Sequence, residues 1–159
     1  VSCGGTGTYW ISARQSGVSE IQAGGGVFCD VFYREQCGVD HEYALTVLAT
    51  VISRPTPTRI VCDSGWKSMS QHLALPRPLG IDHVVSVTLS AEHATINLGS
   101  PSVSPKVHDK VEFVVGYCDA TLFLHDQLHV TKQGRVVGRW SIPHRGFRDE
   151  MREPTGSAT

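Results

Sequence analysis

The chain has 159 residues, of which 40% are apolar, long enough for one domain with a core of its own. A net charge of −1 gives no basic surface for nucleic acid, and no apolar run reaches membrane-spanning length, so neither partner is expected. The five cysteines (Cys3, Cys29, Cys37, Cys62, Cys118) include no C-x-x-C pair, which argues against a zinc ribbon or a redox pair. Reduced, buried thiols in a cytoplasmic protein are expected instead, although one disulfide is compatible with the count.

The first dozen residues organise the reading. In Gly4-Gly5-Thr6-Gly7-Thr8, three glycines and two threonines fill five positions, followed by Tyr9 and Trp10. Glycines let successive N–H groups point into one concavity, and a helix start adds positive potential, which together suit a phosphate. The loop has no Gly-Lys-Ser/Thr ending and no G-x-G-x-x-G spacing, and no strand is expected in front of it. On spacing alone an anion cradle and a plain turn are equally supported. The cradle opens the chain and Val1 is not a methionine, so the chain is expected to be the C-terminal part of a longer protein.

The pattern then predicts a helix over 9–19, ending near Gly17. A strand from Ile21, a bend at Gly24-Gly25-Gly26 and an extended piece over 27–33 follow, then a charged loop over 34–42. The β-branched run 44–53 reads as a strand buried on both faces, stopped by Pro55 and Pro57. It pairs with a short strand at 59–63 across the proline turn. Residues 66–78 are irregular. Strands at 84–89 and 94–98 flank a bend at 90–93, and a surface loop covers 99–105. A strand at 111–115, one helical turn at 120–124, and a hairpin of 128–131 with 135–142 around Gln133-Gly134 complete the chain. A polar tail follows. About eight strands and one good helix predict a mainly β domain of barrel or sandwich type.

Few residues point to chemistry. Tyr117 and Asp119 share a face if the backbone there is extended, a placement that could bind a metal or steer a proton. Phenols are poor ligands for divalent metals, and a cap on the following turn is the simpler role for Asp119. The eight histidines (His41, His72, His83, His93, His108, His125, His129, His144) form no H-E-x-x-H pair. Lys67 follows a strand end and reads as a surface ammonium over Trp66. Gln22 and the glycines behind it could approach a ligand or simply make a bend. Gly-x-Ser-x-Gly does not occur, so serine hydrolase chemistry of the nucleophile-elbow kind has no support.

Taken together, several stretches resemble the D-threonine aldolase and D-serine dehydratase group. They are Ser2-Cys3-Gly4-Gly5-Thr6-Gly7-Thr8-Tyr9, Glu20-Ile21-Gln22-Ala23-Gly24 with Val27-Phe28-Cys29-Asp30, and Ala49-Thr50-Val51-Ile52-Ser53-Arg54. Asp63-Ser64-Gly65-Trp66-Lys67-Ser68-Met69-Ser70, Leu89-Ser90-Ala91-Glu92-His93 and Gly116-Tyr117-Cys118-Asp119-Ala120-Thr121 with Leu124-His125-Asp126 complete the set. The resemblance reaches to about Phe147. It implies a pyridoxal-phosphate lyase of the alanine-racemase-like type, with an α/β barrel followed by a β domain. By it, 1–20 ends the barrel, 21–147 is the β domain and 148–159 is a flexible tail.

The resemblance also implies roles. Gly4, Gly5, Thr6, Gly7, Thr8, Tyr9 and Gln22 hold the cofactor, and His93 neighbours the site. The family places a divalent metal (zinc, manganese or magnesium) on a histidine and on an acidic or cysteine residue two positions later. Here those positions are Tyr117 and Asp119. The lysine that joins the cofactor is expected upstream of Val1, so Lys67 is not that residue and the isolated chain is expected to be inactive. The substrate would be a D-amino acid with a β-hydroxyl and the assembly a homodimer. A non-catalytic β-barrel for binding or assembly is the alternative.

Overall fold

The computed structural model describes residues 1–143. His144 and the tail expected over 148–159 lie outside the described residues. The chain divides into two compact units, Val1–Leu124 and a second from His125 onward.

The first unit opens with β1 (Ser2–Cys3), which does precede the glycine loop and pairs in parallel with β2 (Glu20–Ile21). The expectation of no strand there is corrected. The helix expected over 9–19 is also shorter: α1 covers Tyr9–Ser12 and buries no residue. Four residues make barely one turn, and a turn that buries no residue gains little to offset the cost of nucleation. Gly17, in the left-handed region at φ +87°, turns the chain back to β2.

The apolar stretch 27–33 is not extended. Gly24–Val27 form a 3₁₀ turn and Phe32–Gln36 a π turn. Asp30 decides this. Its Oδ1 accepts the Tyr33 N–H at 2.8 Å, three residues on, in the manner of an N-cap. A side-chain acceptor at that spacing favours a helical start over the strand that the apolar run alone suggests.

Six antiparallel strands build a barrel-like sheet: β3 (Thr46–Thr56), β4 (Arg59–Cys62), β5 (Arg77–Pro78), β6 (Val84–Leu89), β7 (Ala94–Leu98) and β8 (Lys110–Val114). Their order is β5-β8-β3-β4-β7-β6. Val51, Ile60, Met69, Ile96, Val111 and Phe113 form the core between them. Burying each such side chain contributes about 1.5–3 kcal/mol. The expectation that β3 is buried on both faces is corrected. Ala49 and Val51 point inward, while Leu48 and Ile52 are 66% and 43% exposed, so the strand alternates. Pro55 does not stop β3. It falls where the register with β4 shifts between Ser53 and Thr56, a bulge that needs no N–H from it. Arg54 fastens the nearby loop by donating to the carbonyls of Pro105, Pro57 and Ser102.

The helical turn near 120 is α2 (Cys118–Leu122), directly after β8. In the second unit, β9 (Gln127–Lys132) and β10 (Arg135–Ser141) form the expected hairpin. Gln133 and Gly134 both have positive φ, as a two-residue type I′ turn requires. Among the described residues no helix is long and apolar enough to cross a membrane. All five cysteines are free.

Candidate active site

A buried carboxylate assembles the site. Asp30 is fully buried, its Oδ1 on the Tyr33 N–H and its Oδ2 accepting the Cys118 N–H at 2.7 Å. Two backbone bonds run alongside: Val31 N–H to the Val115 carbonyl at 3.2 Å, and Phe32 N–H to the Gly116 carbonyl at 3.0 Å. The end of β8 is thereby fixed against the turn at 30–33. Tyr33 and Tyr117 are carried side by side, their ring centroids 5.9 Å apart, with Phe32 edge-on to Tyr117 at 5.6 Å.

Three side chains lie close together here. The Tyr33 ring stands beside that of Tyr117, and Tyr33 Cε2 and Thr6 Oγ1 both border Gly25. Tyr117 donates to Asp119 Oδ2 at 2.8 Å. The Cys118 thiol faces Asp119 Oδ1 at 3.4 Å. The His72 ring stands 5.9 Å from that of Tyr117 and leads to an open hollow of about 400 Å³ beside Trp66, Ser70 and Ala120. The bond to Asp119, then burial, raises Tyr117 above the usual tyrosine range. Burial first, with Asp30 adding to it, raises Cys118 and keeps it a thiol. Burial likewise raises Tyr33.

The glycine loop borders this cluster. Thr6 is buried, and a Cβ at Gly25 would come 2.6 Å from Tyr33 Cε2 and 3.2 Å from Thr6 Oγ1. Only glycine lets the three approach so closely. His41 ties the loop down from the other side. Its Nδ1 lies 3.2 Å from the Gly26 carbonyl and its Nε2 3.1 Å from the Tyr9 hydroxyl. A carbonyl only accepts, so the ring carries its proton on Nδ1 and Tyr9 donates to Nε2. Gln22 adjoins the loop entry, with its N–H on the Gly4 carbonyl at 3.0 Å and its side chain on Ser2 Oγ at 2.7 Å.

The loop fits a phosphate in its donor set. It offers glycine-rich backbone N–H groups, open space around Gly5, and no acidic side chain in the first turn of α1. A helix of four residues adds little dipole, so the fit rests on the loop itself. The metal pair does not fit. The Tyr117 phenol is a protonated donor, and both Asp119 oxygens already face donors. Among the described residues no three of His, Cys, Asp and Glu group to hold a cation.

Three sequence readings change here. Asp119 is not a cap: it lies in the first turn of α2, and the Thr121 N–H goes to the Tyr117 carbonyl. Tyr117 and Asp119 do meet, but across a helix start rather than on an extended face. Lys67 does not lie over Trp66. It pairs with Glu92 at 2.6 Å on the surface. His93 is exposed in the turn between β6 and β7. Sequence reasoning missed Asp30, Tyr33, His41 and His72. A lone acid in the apolar run Val27-Phe28-Cys29-Asp30-Val31-Phe32 is a legible sign of a buried, satisfied carboxylate. His41 offers no comparable local sign.

A family model described as "Putative serine dehydratase domain" matches residues 44–131. A D-threonine aldolase from Arthrobacter sp is 33% identical over 150 residues, covering 92% of this chain and 40% of that protein. A 3-hydroxy-D-aspartate aldolase from Paracoccus denitrificans is 33% identical over 154 residues, covering 92% of this chain and 39% of that protein. The crystal structure of a D-threonine aldolase from Filomicrobium marinum superposes with a TM-score of 0.81 at 26% identity, over 89% of this chain and 40% of that one. The chain thus spans about two-fifths of the length of the curated relatives it matches.

Proposed function

We propose that this chain, which belongs to the serine dehydratase domain family, is the C-terminal part of a pyridoxal-phosphate lyase acting on D-amino acids with a β-hydroxyl. The reaction is aldol cleavage or dehydration, as the names of the relatives suggest. One observation carries the reading. The phosphate-like glycine loop and the Tyr117–Asp119 pair come together in one place: Thr6 and Tyr33 both border Gly25, and the Tyr33 ring stands 5.9 Å from that of Tyr117, which bonds Asp119. A plain turn gives no reason for that convergence.

Gly4, Gly5, Thr6, Gly7 and Thr8 hold the cofactor phosphate, with Tyr9 kept in place by His41 and the loop entry by Gln22. Residues 1–20 close the cofactor barrel and 21–147 form the β domain. Pyridoxal phosphate, when bound, supplies an electron sink for the bond that breaks at the substrate Cα. The chain's own residues anchor the phosphate, hold the loop against Tyr33 and present Tyr117 and Asp119 to the substrate side. The protein is a cytoplasmic homodimer whose joining lysine, as the resemblance implies, lies upstream of Val1; Lys67 is exposed and paired with Glu92.

The test is turnover. The polypeptide as the native source makes it, given the cofactor, should release glycine and an aldehyde from D-threonine, or pyruvate and ammonia from D-serine. The isolated chain should release neither. An inert native polypeptide would refute the lyase reading, and enzyme-like turnover by the isolated chain would refute the missing lysine.

A further inference from the structure

We propose that Tyr33, Tyr117 and Asp119 form a hydroxyl-binding site that works without a divalent cation, a deepening of the lyase reading on which it rests. The pair Tyr117-x-Asp119 stands where a ligand pair is expected from the resemblance, yet its groups are arranged as a hydrogen-bonding set. The Tyr117 hydroxyl donates to Asp119 Oδ2 at 2.8 Å, and a protonated phenol is a poorer ligand for a divalent cation than the imidazole expected there. Asp119 Oδ1 faces the Cys118 thiol at 3.4 Å. Tyr117 is half-buried and Asp119 exposed, so a small ligand can reach both. Tyr33 completes the set, held from below by Asp30 through its N–H and from the side by Gly25.

Such a set recognises a neutral hydroxyl by donating and accepting at once. A phenol oxygen can accept the ligand's O–H, while the Tyr33 hydroxyl donates to the ligand's oxygen. A cation on this pair would instead demand an anionic or imidazole ligand at 117, where a phenol that donates to Asp119 stands. The substrate class is then a D-amino acid whose β-hydroxyl is held by hydrogen bonds, with Tyr117 as a specificity-determining residue.

Two titrations of the native polypeptide test this. Divalent manganese, added after dialysis against a chelator, should find no stoichiometric site at micromolar concentration in the wild type, and Tyr117→His should gain one, lost again with Asp119→Ala. A stoichiometric manganese site in the wild type that Asp119→Ala removes would overturn the proposal. In the second titration, D-threonine is compared with D-α-aminobutyrate, which lacks only the hydroxyl. The wild type should prefer D-threonine, and Tyr117→Phe should erase about tenfold of that preference while binding D-α-aminobutyrate normally. An equal loss for both ligands would overturn the hydroxyl role. If neither amino acid binds the wild type, the lyase reading and the hydroxyl role fail together, while the manganese titration still decides the cation claim.

Discussion

Asp30→Ala should destabilise the first unit by about 3–5 kcal/mol. The carboxylate is fully buried and accepts two backbone N–H groups, from Tyr33 at 2.8 Å and Cys118 at 2.7 Å. Hydrogen bonds to a charged group contribute about 1.5–3 kcal/mol each, and removing one partner leaves the other desolvated and unpaired. Alanine removes both acceptors, and the space left is closed on one side by Tyr33 and on the other by the start of α2. The melting temperature should fall by on the order of 15 °C. Asp30→Asn should cost roughly half as much, because its amide keeps one acceptor and turns a donor toward the other N–H. The tyrosine signals of near-ultraviolet circular dichroism should weaken in both variants, since Asp30 sets the angle between Tyr33 and Tyr117. A loss below about 1 kcal/mol for Asp30→Ala would mean that the carboxylate does not organise the site.

Gly116→Ala should cost about 3 kcal/mol or more. A methyl at 116 would overlap the Ala74 carbonyl oxygen and come 2.7 Å from its carbon. The obstacle is backbone, which cannot swing aside as a flexible side chain could. The chain at 116 cannot retreat either, because its carbonyl accepts the Phe32 N–H at 3.0 Å. Relief therefore requires breaking the contact that positions Tyr117, one residue later. Gly138→Ala is the matched control. Its added methyl would lie 3.8 Å from Val130 Cβ, an ordinary contact, and should change stability by less than about 1 kcal/mol. The urea midpoints of the two variants decide the matter. Equal midpoints would show that the packing at Gly116 is looser than described.

The sheet was legible because β-branched alternation and turn residues carry strand signals locally. β4, β6, β7, β8 and the β9–β10 hairpin stand close to their expected places. What the local pattern could not carry is competition between levels. Residues 27–33 look extended by composition, but the Asp30 side chain captures the Tyr33 N–H and starts a turn. Residues 9–19 look helical by composition, but with nothing to bury the helix stops after one turn. β3 is rich in apolar residues on both faces, and only the paired strands show that one face lies outward.

The site was legible in part. The glycine loop and the Tyr117–Asp119 pair stand out as motifs, and Tyr117 and Asp119 do touch. The partners that join them do not stand out, because Tyr33, Asp30 and His41 are brought in by contacts distant in sequence. Asp30 reaches Cys118 across 88 positions, and Tyr9 meets His41 across 32. Nothing in a local window encodes either meeting. The closeness of Thr6, Tyr33 and Tyr117 is therefore a finding of the fold rather than of the motifs.

The central claim is that the glycine loop holds the cofactor phosphate, and Gly5→Asp tests it most directly. Gly5 is exposed, with nothing within 4 Å of an added Cβ and no left-handed φ, so aspartate fits without strain. A carboxylate about 4 Å from a phosphate costs about 4 kcal/mol per unit charge at an effective dielectric of about 20, before discounting for exposure. Measured by phosphorus NMR after dialysis, the native polypeptide should retain pyridoxal phosphate. The Gly5→Asp variant should bind it roughly 100-fold more weakly at an unchanged melting temperature. Equal retention by wild type and variant would contradict the account and leave the loop a plain turn.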